Sequence, residues 1–112
     1  MTLAVDVIKK MTQRSVTLAT CESLTGGGIG AALTSVPGAS AVYRGSLVTY
    51  ARELKSTLAG VDEELIATEG VVNELTALQM ARGAQARGDA DWAVATSGVA
   101  APTETDGASV GT

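Results

Sequence analysis

The chain has 112 residues, enough for one domain, and its 46% hydrophobic content includes no Phe and only 3% aromatics, so the core must be closely packed Ala, Val, Leu and Ile. With 12 acidic against 8 basic residues, nothing general draws it to a polyphosphate backbone, which excludes nucleic acid as its main partner. The absence of His excludes Ser-His-Asp and Cys-His catalysis and His-ligated metals, and a single Cys excludes an internal disulfide or a cysteine metal cluster.

Thr2 to Gln13 reads as an amphipathic helix, with Leu3, Val7, Ile8 and Met11 on one face and Asp6, Lys9, Lys10 and Gln13 on the other. Ser15 to Thr20 follows as a β-type segment, then the stretch Cys21 to Gly30, then a small-residue helix from Ile29 to Val36 stopped by Pro37-Gly38. Val42 to Tyr50 reads as a strand with a bend or close approach at Gly45. Arg52 to Leu58 reads as a short helix ended by Gly60. Asp62 is the N-cap expected for Glu63 to Ala67, and Asn73 for a longer helix, Glu74 to Arg87, with Leu75, Leu78 and Ala81 or Ala86 as its apolar side. Asp91 to Thr96 reads as a short buried strand with Trp92 in the core. A polar run without periodicity, Thr103 to Ser109, precedes Val110-Gly111-Thr112, which resembles the start of another strand cut short.

Alternating strands and helices predict one α/β domain over 1–112, a layered α/β sandwich truncated at the C-terminus. The first ten residues mix charged and apolar side chains rather than forming a signal peptide, and no apolar run approaches membrane-spanning length. Together with the lone Cys, this points to the cytoplasm, with no membrane partner.

The stretch around Ser23 carries the chemistry. It puts a hydroxyl at the end of a strand and glycines at a helix start, where unpaired N–H groups and the helix dipole favour an anion. The same glycines also suit a plain tight turn in which helix and sheet approach closely. With His excluded, a serine nucleophile needs a lysine or carboxylate as base. Lys55, just after the second strand, is the lysine outside the polar face of the first helix; the alternative is a solvated residue paired with Glu53 or Asp62. A base must be neutral, which burial or a nearby cation such as Arg44 or Arg52 promotes. Glu22, as a strand neighbour of Ser23, points to the opposite side and is not positioned to activate it. Cys21 reads as a small core residue, and Tyr50 as either core or a substrate hydrogen-bonder. Ser97-Gly98 ends a strand, where ligands gather in α/β sheets.

The order Glu22-Ser23-Leu24-Thr25-Gly26-Gly27, Pro37-Gly38, Arg44-Gly45, Val48-Thr49-Tyr50, Glu53 with Lys55, and Gly60-Val61 resembles the CinA C-terminal domain family. Gly70-Val71-Val72, Ala93-Val94-Ala95, Ser97-Gly98-Val99-Ala100 and Val110-Gly111-Thr112 extend the resemblance over nearly the whole chain. The resemblance implies a three-layer α/β/α sandwich around a central mixed sheet, and a metal-free, cofactor-free amidohydrolase that converts nicotinamide mononucleotide to nicotinic acid mononucleotide and ammonia. It implies Ser23 as nucleophile and Lys55 as base, within hydrogen-bond reach of each other. Tyr50 and Ser97 would bear supporting hydroxyls, Thr25, Gly26 and Gly27 backbone donors, with Gly98 beside the substrate. This chain departs from the family pattern at Leu24, Arg52, Leu54, Ser97 and Ala101, and lacks the family's glycine-rich, Pro-Glu-Lys-Pro loop after Pro102. The expected partner is a small-molecule nucleotide, and the expected assembly a homodimer or higher homo-oligomer. The competing readings are a non-catalytic nucleotide-binding or interaction domain of the same family, and a bare oligomerisation module.

Overall fold

The computed structural model describes residues 2–100 and 108–112. Helix α1, Leu3–Arg14, is opened by Thr2, whose hydroxyl accepts from the Val5 N–H, and closed by Ser15 in the left-handed region at φ 54°. That left-handed residue delays the first strand: β1 spans Leu18–Glu22 rather than beginning at Ser15. Helix α2 spans Gly28–Thr34, and a short 3-10 turn at Ala39–Ala41 leads into β2, Tyr43–Val48. Helix α3 covers Arg52–Thr57, α4 covers Glu63–Glu69 and α5 covers Glu74–Gly88. Strand β3, Trp92–Ala95, completes the sheet.

Two expected helix starts appear at their capping residues, because a short polar side chain satisfies backbone N–H groups that have no partner inside the helix. Asp62 accepts from the Glu64 N–H, and Asn73 from the Thr76 N–H. Gly45, at φ 149°, sits where the β1–β2 register slips between Leu18 and Ala19, so it absorbs an irregularity at the start of the ladder.

The sheet order is β2-β1-β3, and β1 pairs in parallel with both neighbours. The antiparallel member that a mixed sheet requires is not among these three strands. The layering is as expected. On the Ala19 and Cys21 side, Met80 and Ala84 of α5 pack with Ala59, Val61, Ile66 and Val71. On the opposite side, Leu18 packs with Ile8 of α1, Leu33 of α2, and Ala39 and Val42. Helices therefore cover both faces of β1, which is buried along its whole length, as parallel strands usually are.

Three sequence expectations fail for one reason: burial depends on which neighbour an element meets. Trp92 is 61% exposed and Val94 is also exposed, so β3 is a half-covered edge strand rather than a buried one. In α5 the buried side is Thr76, Met80, Gly83 and Ala84, while Leu75 and Leu78 face outward. Gly83 shows why small residues take that side, since a methyl group there would overlap the Ala59 carbonyl. Leu3 in α1 is exposed, leaving Ile8 as its buried anchor. The chain end also differs from the expected strand. Val110 and Gly111 form a turn, and Gly111 N–H and Thr112 C=O pair with the Val99 backbone. Most of the polar run expected over 103–109, and the departures at Ala101 and beyond, lie outside the described residues. Among the described residues, no helix is long and apolar enough to cross a membrane.

Candidate active site

Because all three strands run in parallel, their carboxyl ends emerge at one edge of the sheet, which is where ligands bind in open α/β folds. Ser23 follows β1, Thr49-Tyr50 follow β2, and Thr96-Ser97 follow β3. The backbone ties these ends together: Thr49 N–H donates to Glu22 O at 2.8 Å, and Thr96 N–H to Cys21 O at 2.9 Å.

Helix α3 begins two residues after Tyr50, so its Lys55 folds back over the end of β2. The side chain is 1% exposed, which removes the solvated-surface alternative. Lys55 Nζ donates to Thr49 O at 2.7 Å, to Ser23 Oγ at 3.0 Å and to Tyr50 O at 3.3 Å. Ser23 itself is nearly buried. The cations considered as neighbours of Lys55 are directed elsewhere: Arg44 Nε donates to Gly88 O at 2.8 Å, and an Arg52 Nη to Ile66 O at 2.8 Å.

The anion-receptive helix start has an occupant from the chain itself. Glu22 is fully buried, and its Oε1 accepts from Ile29 N–H at 2.9 Å and Thr25 Oγ1 at 2.7 Å. Its Oε2 accepts from Gly30 N–H at 2.9 Å, Thr20 Oγ1 at 3.3 Å and Ser46 Oγ at 3.4 Å. Two first-turn donors of α2 are therefore satisfied by Glu22, and the expectation that they wait for a substrate anion is corrected. The cause is strand alternation. Glu22 faces α2, whereas Ser23 faces Lys55 on the other side of the sheet. Burial pushes the Glu22 carboxyl up, but the hydrogen bonds from Thr25, Gly30, Ile29 and Thr20 outweigh it and hold it below its ordinary 4.5.

The Ser23 turn keeps other donors. Gly26 N–H donates to Ser23 O and Gly28 N–H to Thr25 O. Among the described residues, the N–H groups of Leu24, Thr25 and Gly27 have no acceptor. Gly27 takes φ 95° as the residue before α2, a conformation that suits glycine.

The remaining expected site residues separate. Tyr50 offers its backbone carbonyl to Lys55, while the residue itself is 75% exposed at the rim. Ser97 Oγ donates to Val71 O at 2.5 Å, which turns it toward the α4–α5 connection. Gly98 packs against Leu24 and the Thr112 carbonyl. The hydroxyl that reaches the Ser23 turn from β3 is that of Thr96, 2.9 Å from Thr25 Oγ1, and it accepts from Ser23 N–H at 3.4 Å. Sequence reasoning passed over Thr96; the available signal was its place directly after the apolar run of β3. Cys21 is fully buried with Sγ 3.7 Å from Thr49 Oγ1, and burial pushes its thiol above the ordinary 9.0. No group of three or more His, Cys, Asp or Glu suited to a metal occurs among the described residues.

The profile of the CinA C-terminal domain family matches residues 1–112. A CinA-like protein of Frankia casuarinae is 49% identical over 106 residues, which make up 95% of this chain and 24% of that protein. A CinA-like protein of Thermosynechococcus vestitus is 44% identical over 101 residues, covering 90% of this chain and again 24% of the relative. Among solved structures, the competence/damage inducible protein CihA of Agrobacterium tumefaciens superposes with a TM-score of 0.92 at 42% identity, over 97% of this chain and 67% of that one. A competence-damaged protein (CinA) superfamily protein of Escherichia coli gives a TM-score of 0.94 at 29% identity, over 97% and 64%. Sequence and fold thus agree over nearly every residue, and the chain belongs to the CinA C-terminal domain family.

Proposed function

We propose that this chain carries an amidohydrolase site that converts nicotinamide mononucleotide to nicotinic acid mononucleotide and ammonia. The observation that carries the reading is the 3.0 Å contact between Lys55 Nζ and Ser23 Oγ at the carboxyl ends of the parallel strands. It supplies the non-histidine base that a serine nucleophile needs in a chain with no His. A neutral Lys55 has two hydrogens for the Thr49 and Tyr50 carbonyls and a lone pair to turn toward the Ser23 hydroxyl.

In the proposed reaction, Ser23 Oγ forms a bond to the carboxamide carbon as its proton passes to Lys55 Nζ. The N–H groups of Leu24 and Thr25 lie on the turn where the resulting oxyanion would form. The intermediate collapses by breaking the C–N bond, and the Lys55 ammonium returns its proton to the departing nitrogen, which leaves as ammonia. Water, deprotonated by Lys55, then attacks the acyl-serine; the C–O bond to Ser23 breaks, Lys55 returns the proton to Ser23, and the acid product leaves, giving its remaining proton to solvent or to the released ammonia.

The test is ammonia release from nicotinamide mononucleotide by the full chain, alongside Ser23→Ala. Release by the parent and its loss in the variant support the reading. No release above the uncatalysed rate from the folded parent overturns it.

A further inference from the structure

We infer that Glu22 is a positioning residue that sets the reactivity of Ser23 through Thr25 and Thr96. The inference rests on Ser23 being the nucleophile, and adds a group that touches neither the substrate nor the reacting atoms.

The argument begins with an accounting of hydrogens. An ionised carboxylate only accepts, so the 2.7 Å contact with Glu22 Oε1 uses the one hydroxyl hydrogen of Thr25. In the 2.9 Å contact between Thr25 Oγ1 and Thr96 Oγ1, Thr96 must then be the donor. With its own hydrogen committed, Thr96 Oγ1 faces Ser23 as an acceptor, and it receives the Ser23 N–H at 3.4 Å. One carboxylate thereby orders a chain of four groups that closes back on the residue beside it. The same carboxylate holds the Ile29 and Gly30 N–H groups, so the turn is fixed at both ends, Ser23 at one and α2 at the other. Ser23 is left on the opposite side of the strand with its hydroxyl against Lys55.

Gln is nearly isosteric but cannot reproduce this. The two carboxylate oxygens each accept a backbone N–H, Ile29 on Oε1 and Gly30 on Oε2. Whichever way the amide of Glu22→Gln is turned, its NH2 faces one of them donor to donor. A loosened turn would move the Ser23 backbone, and with it the hydroxyl, relative to Lys55.

The experiment measures Ser23 reactivity apart from turnover. Phenylmethylsulfonyl fluoride forms an S–O bond to a reactive serine as S–F breaks, so intact-mass measurement on the full chain gives the rate of Ser23 labelling. Glu22→Gln, Thr25→Val and Thr25→Ser are compared, with circular dichroism to verify folding. Glu22→Gln and Thr25→Val should each slow labelling roughly tenfold or more, as for the loss of a hydrogen bond to a charged group. Thr25→Ser should stay within a few-fold of the parent. A packing role would give the reverse order, because Val keeps the shape of Thr and Ser keeps only its hydroxyl. Ammonia assays should show the loss in kcat with KM little changed.

Parent-like labelling in folded Glu22→Gln overturns the inference, as does Thr25→Val labelling faster than Thr25→Ser. If Glu22→Gln fails to fold, the Thr25 pair decides. A parent that labels at Ser23 but releases no ammonia refutes the proposed substrate and leaves this test standing. If the parent releases ammonia but does not label, kcat of Thr25→Val against Thr25→Ser decides in the same order; a parent that neither labels at Ser23 nor releases ammonia overturns both.

Discussion

Lys55 Nζ lies 3.0 Å from Ser23 Oγ although the two residues are 32 positions apart. Three features bring them together: β2 pairs in parallel with β1, α3 starts directly after β2, and Lys55 falls on the turn of α3 that faces back over the strand ends. A long side chain is needed to span that gap, and its burial requires that the amine find acceptors, which the Thr49 and Tyr50 carbonyls provide.

The first prediction follows from this pair. Ser23→Ala and Lys55→Met should each reduce ammonia release by about 10²–10⁴-fold, the scale of a lost acid–base or nucleophilic group. The double variant should be little worse than either, because the two act as one unit. Lys55→Arg should be as poor as Lys55→Met, since a guanidinium does not give up its proton. Substantial release by folded Lys55→Arg would remove the lysine from the role of base.

The Glu22 carboxyl sets a pH dependence of stability. Its acidity in the folded chain is stronger than the ordinary 4.5, so the folded state favours the ionised form. That contribution is fully present above the unfolded value and is lost as pH falls through the lower folded value. Urea unfolding of the parent and Glu22→Gln between pH 7 and pH 3 should show their difference shrinking on the acid side. A difference that stays constant across this range would contradict the assignment.

Gly83→Ala should destabilise the fold despite improving helix propensity. The propensity gain is about 1 kcal/mol, whereas forcing a methyl into the Ala59 carbonyl requires backbone to move, with an overpacking cost of about 1–3 kcal/mol or more. A lower midpoint in thermal or urea unfolding is expected. An unchanged or raised midpoint would show that α5 can shift away from the α3–α4 connection at little cost.

Cys21 should resist thiol reagents in the native state. It is fully buried, and burial holds its thiol above the ordinary 9.0, although the hydrogen bond with Thr49 pulls the other way. Reaction with an aromatic disulfide reagent should track global unfolding in urea. Rapid labelling without denaturant would mean that the end of β1 opens locally.

The sequence by itself determined what depends on local chemistry. Asp62 and Asn73 precede helices because short polar side chains satisfy free N–H groups, and those helices start where the caps stand. The lack of His left Ser23 with a lysine or a carboxylate as the base to seek, and strand alternation correctly separated Glu22 from Ser23. Tertiary structure alone decided the rest, because burial is a property of neighbours. Leu75, Leu78 and Trp92 are apolar yet exposed, since α5 buries the side that carries Met80, Gly83 and Ala84 and β3 lies at an edge. Glu22 is charged yet fully buried, because α2 and the flanking hydroxyls supply the hydrogen bonds that replace water. Which of two neighbouring strand residues meets a helix start and which meets a lysine depends on how strands and helices pack, and no window of the chain contains that information.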